Sequence, residues 1–271
     1  MIICFYLLIF ILGLCCGSFV NMLVYRTAVQ YELESRKFKV KNKNRSFCDY
    51  CGRQLKWYEN IPVISWLVQK GKTRCCSKKL SVLYSIVELV TGVLFLMVWN
   101  LNLKDSSTLF EMKSLIILII ELLIVVFLVF SAVFDLKYMI LPDFSTIILI
   151  AGALVIWIID YFGEWSYLWS ALISFGFLWL LFLIKIRGQE AMGFGDAKLA
   201  IFMGLFLGRN VIIAFYIAFI SGALVALWLI FFKKANRKSL VSFGPFLILG
   251  FLVNWFWGNQ LADILVFQFI R

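Results

Sequence analysis

The stretch that decides the fold is SLIILIIELLIVVFLVFSAVF, residues 114–134, which leads directly into Asp135. This run contains one charged side chain, Glu121, and is as long as a helix must be to cross the hydrocarbon layer of a bilayer. A carboxylate beside lipid is costly and marks a functional site by default. The stretch therefore predicts a transmembrane helix that ends at a functional carboxylate.

The whole chain has the composition of a membrane protein. Hydrophobic residues make up 63% of its 271 residues and charged residues 15%, whereas soluble domains are about half apolar and a quarter charged. Stretches of spanning length recur at 2–24, 81–99, 114–134, 144–161, 166–184, 211–232 and 242–258, with a shorter one at 197–208. The sequence thus predicts an all-α polytopic membrane protein with about eight transmembrane helices in a lipid bilayer.

Basic residues are distributed unevenly between the loops. Of 26 Lys and Arg residues, 22 lie in the loops at 25–80, 135–143, 185–198 and 233–238. The positive-inside rule places these loops in the cytoplasm. Both termini are then expected outside. The length of segment 197–208 alone suggests a re-entrant hairpin, but the segment is expected to cross the membrane, because Lys233, Lys234, Arg237 and Lys238 would otherwise face outside. The net charge of +11 is explained by this orientation, so we expect no nucleic-acid partner.

Two aspartates stand where a predicted membrane segment meets a polar loop. Asp135 follows 114–134, and Asp196 lies in Gly-Phe-Gly-Asp-Ala-Lys at 193–198. The chain has no histidine, which excludes Ser-His and Cys-His nucleophile pairs and histidine zinc ligands. Water reaches the ends of membrane helices, so the leading hypothesis is acid/base chemistry by the two carboxylates on a membrane substrate.

The competing hypothesis is a proton-coupled transporter in which Asp135 and Asp196 relay protons. Transporters usually contain repeated halves with broken helices at the membrane midplane. The sequence contains no internal repeat, and both carboxylates lie at the predicted interface. A third acid, Asp143, precedes a predicted helix and is expected to be its N-cap.

Four cysteines lie in the long loop at 25–80. Cys48-Asp-Tyr-Cys51 is a CxxC pair, and Cys75-Cys76 follows about two dozen residues later. Thiols stay reduced in a cytoplasmic loop, so paired cysteines indicate metal ligands before disulfides. A zinc ribbon needs two CxxC knuckles around a tetrahedral ion, but the second pair here is adjacent. Zinc binding and free structural thiols both remain open on the spacing alone.

Taken together, these features resemble the bacterial type IV prepilin peptidases over nearly the whole chain. The matching stretches are GSFVNMLVYR at 17–26, Cys48-x-x-Cys51, ENIPVISW at 59–66, Gly71-Lys72, VELVTG at 87–92, Asp135 through Asp143, GFGDAK at 193–198 and FGPF at 243–246. The resemblance implies an aspartic membrane protease that removes the short basic leader of prepilins or pseudopilins, on the cytoplasmic side, after a glycine. Many members then methylate the new N-terminus with S-adenosylmethionine.

The resemblance also implies roles for individual residues. Asp135 and Asp196 take the positions of the two catalytic aspartates, and Gly71 that of a glycine implicated in methyl transfer. Independently of the resemblance, Gly193 and Gly195 beside Asp196 are expected to let either backbone or substrate approach closely. The family has a cysteine where this chain has Thr73, so Cys75 is expected to replace it as a zinc ligand beside Cys48, Cys51 and Cys76.

The leader is basic by resemblance and the loop is basic too, so recognition is expected from the apolar prepilin helix and from local acids such as Glu59 and Glu88. Basic loop residues should lie instead against anionic lipid; among them are Lys37, Lys39, Lys41 and Lys43.

The expected organisation is a first transmembrane helix at 1–24, a cytoplasmic cysteine loop at 25–80 associated with methyl transfer, and a transmembrane protease domain at 81–271. The expected location is the bacterial plasma (inner) membrane, with the active site facing the cytoplasm. The sequence leaves open whether the substrate builds a pilus, a secretion pseudopilus or a DNA-uptake filament.

Overall fold

A computed structural model describes residues 2–34, 46–48, 50–104, 112–186, 189–190, 192–233 and 242–269. The four lysines for which the sequence predicts contact with anionic lipid, between residues 37 and 43, lie outside the described residues.

The described residues are mostly helical. Their α-helices are α1 Ile2–Gln30, α2 Ile64–Val68, α3 Val82–Lys104, α4 Met112–Tyr138, α5 Asp143–Asp160, α6 Ser166–Leu183, α7 Phe194–Leu207, α8 Val211–Lys233 and α9 Gly244–Phe269. Two 3-10 turns, Trp57–Asn60 and Gly208–Asn210, and one hairpin of two-residue strands, β1 Lys185–Ile186 and β2 Gln189–Glu190, complete the fold. The predicted all-α class is confirmed.

Six stretches of the described helices are long and apolar enough to cross a membrane. The sixth, Phe194–Phe232, contains both α7 and α8, and Gly244–Gly258 of α9 is a shorter apolar helix. The prediction of a multi-pass membrane protein is therefore confirmed. The separate crossing of α7, and with it the count of eight, stays a prediction.

The chain forms two compact units, Met1–Leu109 and Phe110–Arg271. Helix α3 belongs to the first unit together with α1. The organisation expected from the sequence instead places a domain boundary after residue 80. Helix α1 also continues to Gln30, beyond the predicted end at residue 24. The cysteine loop is thus bracketed by two long helices that pack against each other.

Glycines bring α1 and α3 into close contact in the first unit. A Cβ atom added at Gly13 would lie 2.7 Å from the Cα atom of Gly92, and one added at Gly17 would lie 2.6 Å from the Cα atom of Glu88. Small residues four apart on a helix allow two backbones to approach within a membrane, where apolar burial does not drive association. The position of Glu88 is therefore fixed by backbone packing.

The second unit is built around α7. Its core includes fully buried residues from four helices, Leu128 of α4, Leu149 of α5, Phe202 of α7 and Phe251 of α9. Helix α7 packs against α5, α6 and α9, and a Cβ atom at its Gly204 would lie 2.6 Å from the Cα atom of Ala171 in α6. This close packing holds the first turn of α7, which carries Asp196, in a fixed position.

Candidate active site

Asp135 lies in the last turn of α4 and is 5% exposed. Its carbonyl oxygen accepts a hydrogen bond of 2.8 Å from the backbone N–H of Met139. Met139 has a φ of +56°, a left-handed conformation that commonly ends a helix. The backbone therefore leaves α4 one turn after Asp135, which places this carboxylate at the helix end.

Asp196 lies in the first turn of α7 and is 6% exposed. The sequence predicts that this helix begins at residue 197, but it begins at Phe194 with Gly193 as its N-cap. The Asp196 carboxylate accepts a hydrogen bond from the backbone N–H of Gly193. An acid three residues after the N-cap commonly satisfies the N-cap amide in this way, so the Gly-Phe-Gly-Asp motif begins the helix.

The two carboxylates meet at Gly244, the first residue of α9. A Cβ atom added there would overlap the Oδ2 atom of Asp135 and lie 3.4 Å from the Oδ1 atom of Asp196. The Gly244 backbone N–H and the Ser242 hydroxyl both donate hydrogen bonds to Asp135. The structure thus brings together two aspartates that are 61 positions apart in the sequence.

The two predicted substrate-approach glycines, Gly193 and Gly195, both lie beside this pair. A Cβ atom at Gly195 would lie 2.8 Å from the Cβ atom of Leu141, in the link between α4 and α5. A Cβ atom at Gly193 would come no closer than 3.5 Å to the Asp196 carboxylate. Gly195 therefore allows α7 to approach that link, and substrate contact at either glycine stays a prediction.

The prediction that Asp143 is an N-cap is wrong. Pro142 is the N-cap of α5, with an extended backbone, and Asp143 is the first helical residue. The Asp143 carboxylate instead pairs with Lys198 of α7, at 2.7 Å. An acid in a first turn also complements the helix dipole, so the residue suits this position without capping. The ion pair links the starts of α5 and α7.

The four cysteines of the loop converge. Their sulfur atoms all lie within 4.8 Å of one another, including 3.2 Å between Cys51 and Cys75 and 3.9 Å between Cys48 and Cys76. Isolated β-bridges, Phe47 to Gln54 and Lys72 to Lys79, flank the two pairs. The adjacent residues Cys75 and Cys76 therefore both turn toward one centre.

Thr73 contacts this cluster. It occupies the position where the prepilin peptidases that the chain resembles have a cysteine. Its hydroxyl lies 3.1 Å from the Cys76 sulfur, and this hydrogen bond is the largest of the contacts that lower the pKa of Cys76 to about 7. Burial raises the pKa of the Cys48 thiol. Metal ligation requires thiolates, and Cys76 is the cysteine most ready to ionise among those with a shifted pKa.

Gly71 lies at a turn that only glycine adopts easily. Its φ is +67°, and an added Cβ atom would lie 3.0 Å from the ring of Trp66. Its carbonyl accepts the N–H of Leu80 at 2.8 Å. The backbone conformation and the packing against Trp66 are sufficient to explain why a glycine occupies position 71. A role of Gly71 in methyl transfer stays a prediction.

Both predicted recognition acids already have protein partners. Glu59 pairs with Arg53 at 2.7 Å and accepts the Lys56 backbone N–H at 2.8 Å. Glu88 accepts the backbone N–H of Val63 at 2.8 Å, and Val63 has a φ of +60°, which is unusual for a β-branched residue. Both acids therefore shape the loop, and their recognition of a leader stays a prediction.

Comparison with known proteins supports the resemblance to the type IV prepilin peptidases. The sequence pattern of the Bacterial Peptidase A24 N-terminal domain matches residues 11–101, and that of the Type IV leader peptidase family matches residues 122–227. A protein of Xanthomonas campestris pv. campestris named Prepilin leader peptidase/N-methyltransferase is 30% identical, over 93% of this chain and 91% of its own. The chain belongs to the type IV leader peptidase family.

Other relatives of the family carry the same name. One from Stutzerimonas stutzeri is 27% identical over 95% of this chain and 92% of its own, and one from Legionella pneumophila is 29% identical over 95% and 93%. No solved structure gives a significant match. Both aspartates lie within the match at 122–227, and the four cysteines lie within the match at 11–101. The transporter alternative finds no support among these relatives.

Sequence reasoning missed the contacts of Ser242 and Gly244 with the aspartate pair. The Phe-Gly-Pro-Phe motif at 243–246 was part of the resemblance, but no role followed from it. The only available signal was a Ser-Phe-Gly-Pro stretch at the start of a membrane segment, which indicates a turn. Its contact with Asp135 joins residues 107 positions apart.

Proposed function

We propose that this chain is a membrane-embedded aspartic endopeptidase of prepilins or pseudopilins that also methylates the new N-terminus. The observation that carries the proposal is the meeting of Asp135 and Asp196 at Gly244. Membership of the type IV leader peptidase family and the shared name of its relatives support both activities.

The proposed chemistry follows from two close carboxylates. Like charges at short distance do not both ionise readily, so the pair holds one proton. The ionised member accepts a proton from water, and the protonated member polarises the scissile carbonyl. The proton belongs to the pair, so no fixed acid or base is assigned. Water attacks the carbonyl carbon, the C–N bond breaks, and the amine leaves with a proton.

The proposed orientation places cleavage at the cytoplasmic face of the bacterial inner membrane. Its support is the basic character of the loops on that side, which hold 22 of the 26 Lys and Arg residues. A prepilin helix would enter from the bilayer with its leader in the cytoplasm. The first turn of α7, with Gly193 and Gly195, is the proposed approach to the scissile bond.

The hydroxyl of Ser242 is proposed to hold Asp135 in its working position. Ser242→Ala should lower kcat about 10- to 100-fold, as expected for a hydrogen bond to a charged group, with KM unchanged because no substrate contact is lost. Ser242→Thr keeps a hydroxyl and should restore most of the rate. Ser221→Ala is the matched control, because among the described residues its hydroxyl donates within α8, to the carbonyl of Ala218 at 3.1 Å. Equal rates for Ser242→Ala and wild type would contradict this role.

A zinc ion fits the four loop cysteines. Tetrahedral ligation with Zn–S bonds near 2.3 Å separates the sulfurs by about 3.8 Å. The sulfurs of this cluster lie within 4.8 Å of one another, with 3.9 Å between Cys75 and Cys76 and between Cys48 and Cys76 and a shorter 3.2 Å between Cys51 and Cys75. The ion would cross-link the two halves of the loop. The cysteines belong to the first unit, and the proposed contribution of the ion is to the order of the loop.

Metal analysis of the purified protein should find about one equivalent of zinc. Cys51→Ser should lose it, because three thiolates remain, whereas Cys4→Ser on α1 should retain it. Loss of the ion should impair methyl transfer more than leader cleavage. Zinc-free protein with four freely alkylated loop thiols would contradict the assignment.

Co-expression tests the proposed function in a membrane. A candidate prepilin with a basic leader, a glycine and an apolar helix should lose its leader when expressed with this chain in a bacterium that lacks its own leader peptidase. The matched strain carrying Asp196→Asn should accumulate the uncleaved form. Unprocessed prepilin in both strains, with the chain present in the membrane, would contradict the proposal.

A further inference from the structure

Helices α1 and α3 run antiparallel, in a register that three contacts define. These contacts are Gly13 with Gly92, Gly17 with Glu88, and the side-chain amide of Asn21, which donates to the Tyr84 carbonyl at 3.0 Å. Continued at the same spacing, this register sets Val24 level with Ser81. Val24 ends the apolar run of α1 and is followed closely by Arg26. The hydrocarbon layer that these two helices span therefore ends near this level.

The short helix α2 lies beside the first turns of α3, on the membrane side of that level. The backbone N–H of Val63, its N-cap residue, donates to the Glu88 carboxylate at 2.8 Å. Glu88 is seven residues beyond Ser81, which is about 10 Å along α3, and helical side chains lean back toward the N-terminus. After α2 the chain returns to the start of α3, where the Gly71 carbonyl accepts the Leu80 N–H at 2.8 Å. Helix α2 therefore begins between the edge of the hydrocarbon layer and the depth of Glu88.

Helix α2 has an exposed apolar face. Ile64, Leu67 and Val68 are 57%, 60% and 62% exposed within the protein, and their spacing of three and four residues places them on one side of the helix. We call these three residues the α2 face. Ser65 and Trp66, between them in the sequence, line a cavity of the loop instead. A group of exposed apolar side chains marks an interaction or membrane surface.

The α2 face lies at the depth where α3 also exposes apolar side chains. The exposed apolar residues in the first turns of α3 are Val82, Leu83, Ile86, Leu89 and Val90. They belong to a helix that is long and apolar enough to cross a membrane, so their surroundings are lipid. The apolar stretch 61–68 is flanked in the sequence by exposed lysines, Lys56, Lys70 and Lys72. Interfacial helices combine an apolar face with cations that meet anionic headgroups.

We propose that α2 is an interfacial helix whose apolar face is buried among the acyl chains of the leaflet on the side of the cysteine loop. Such faces typically reach about 5–10 Å into the boundary between headgroups and acyl chains, which agrees with the depth set by Glu88. Lipid is the occupant because the face lies within the layer that α1 and α3 span. Part of the loop expected to lie in the cytoplasm is thus embedded in the membrane.

This placement is independent of the proposed function. It requires only that α1 and α3 cross the bilayer, and it holds whether or not the chain cleaves leaders or transfers methyl groups. It also differs from the lipid contact expected of the loop lysines. Those lysines would stay at the headgroups, whereas Ile64, Leu67 and Val68 displace water from the acyl chains and anchor the loop by apolar burial.

Photo-crosslinking of the full chain in lipid vesicles tests the placement. The photoreactive amino acid p-benzoylphenylalanine replaces Leu67, and the chain is reconstituted without prepilin in vesicles of phosphatidylethanolamine and phosphatidylglycerol. Illumination followed by intact-mass spectrometry counts the chains that carry a lipid adduct. The adduct should be at least about tenfold more frequent at Leu67 than at Leu33, because acyl chains surround only the first.

Leu33 and Leu89 are matched controls, because both are exposed leucines of the first unit. Leu33 follows the end of α1, and its N–H donates to the Ala28 carbonyl at 2.9 Å, on the water side of Val24. Leu89 of α3 lies next to Glu88 in the sequence, within the hydrocarbon layer. The frequency of lipid adducts at Leu67 should be within about twofold of that at Leu89.

Labelling of the unaltered chain gives a second measurement that needs no substitution. An apolar diazirine reagent dissolved in the same vesicles should label residues 64–68 and the exposed residues of α3, and should spare residues 31–34. Peptide mass spectrometry locates the label. If the chain with the photoreactive residue at position 67 does not accumulate in the membrane, this labelling decides the question.

Two results would overturn the inference. Lipid adducts no more frequent at Leu67 than at Leu33, or residues 64–68 left unlabelled in the unaltered chain, would place the α2 face in water. Adducts of Leu67 with a second copy of the chain in place of lipid would make the α2 face a protein interface.

Discussion

Replacement of either Asp135 or Asp196 by asparagine is expected to lower the rate of leader cleavage by at least about a thousandfold. An amide can serve neither as the base that deprotonates water nor as the acid that polarises the carbonyl. Both side chains are buried, at 5% and 6% exposed, and asparagine has nearly the same shape. The variants should therefore fold and enter the membrane, and initial rates on a purified prepilin should reveal a chemical defect.

Asp143→Asn is the control for this prediction. Asp143 is also an acidic residue and lies close to Asp135 in the sequence. Its side chain, however, is 65% exposed and pairs with Lys198. Exposed ion pairs contribute little to stability, so cleavage should stay within about twofold of the wild type. If Asp143→Asn lost as much cleavage activity as Asp135→Asn and Asp196→Asn, the catalytic role assigned to Asp135 and Asp196 would be contradicted.

Gly244→Ala is expected to reduce cleavage by at least about 100-fold, because a misplacement near 1 Å in a catalytic group can cost that much. The added methyl group would overlap the Oδ2 atom of Asp135 and come within 3.4 Å of Asp196. The carboxylate must then move away from its partner. The measurement is kcat for the variant, with the melting temperature recorded to separate misplacement from unfolding.

Gly176→Ala on α6 is the matched control, because an added Cβ atom there meets no other atom within 4 Å. It should retain both activity and stability. If Gly244→Ala cleaves at the wild-type rate, the aspartates do not meet at this point in the working enzyme.

The helices and the identity of the two aspartates could be predicted because their signals are local. A run of apolar residues of spanning length is visible in the sequence, and so is a carboxylate at its end. Helix ends were harder to predict. Helix α7 begins at Phe194 with Gly193 as its N-cap, earlier than the apolar run at 197–208, and hydropathy alone does not report where a helix is capped.

Contacts between distant residues could not be predicted from one sequence. The ion pair of Asp143 with Lys198 and the hydrogen bond of Ser242 with Asp135 join residues 55 and 107 positions apart. The cysteine cluster could be predicted in part. CxxC spacing indicated the first pair, but only folding of the loop brings the adjacent Cys75 and Cys76 to the same centre.

Intact-mass spectrometry of a purified prepilin after incubation with this chain tests the central claim most directly. The wild type should lower the mass of the prepilin by that of a leader ending in glycine, with or without S-adenosylmethionine, and add one methyl group only when the methyl donor is present. Asp135→Asn and Asp196→Asn should each leave the prepilin at full mass. Cleavage at that glycine by either variant at the wild-type rate would contradict the proposed aspartate pair.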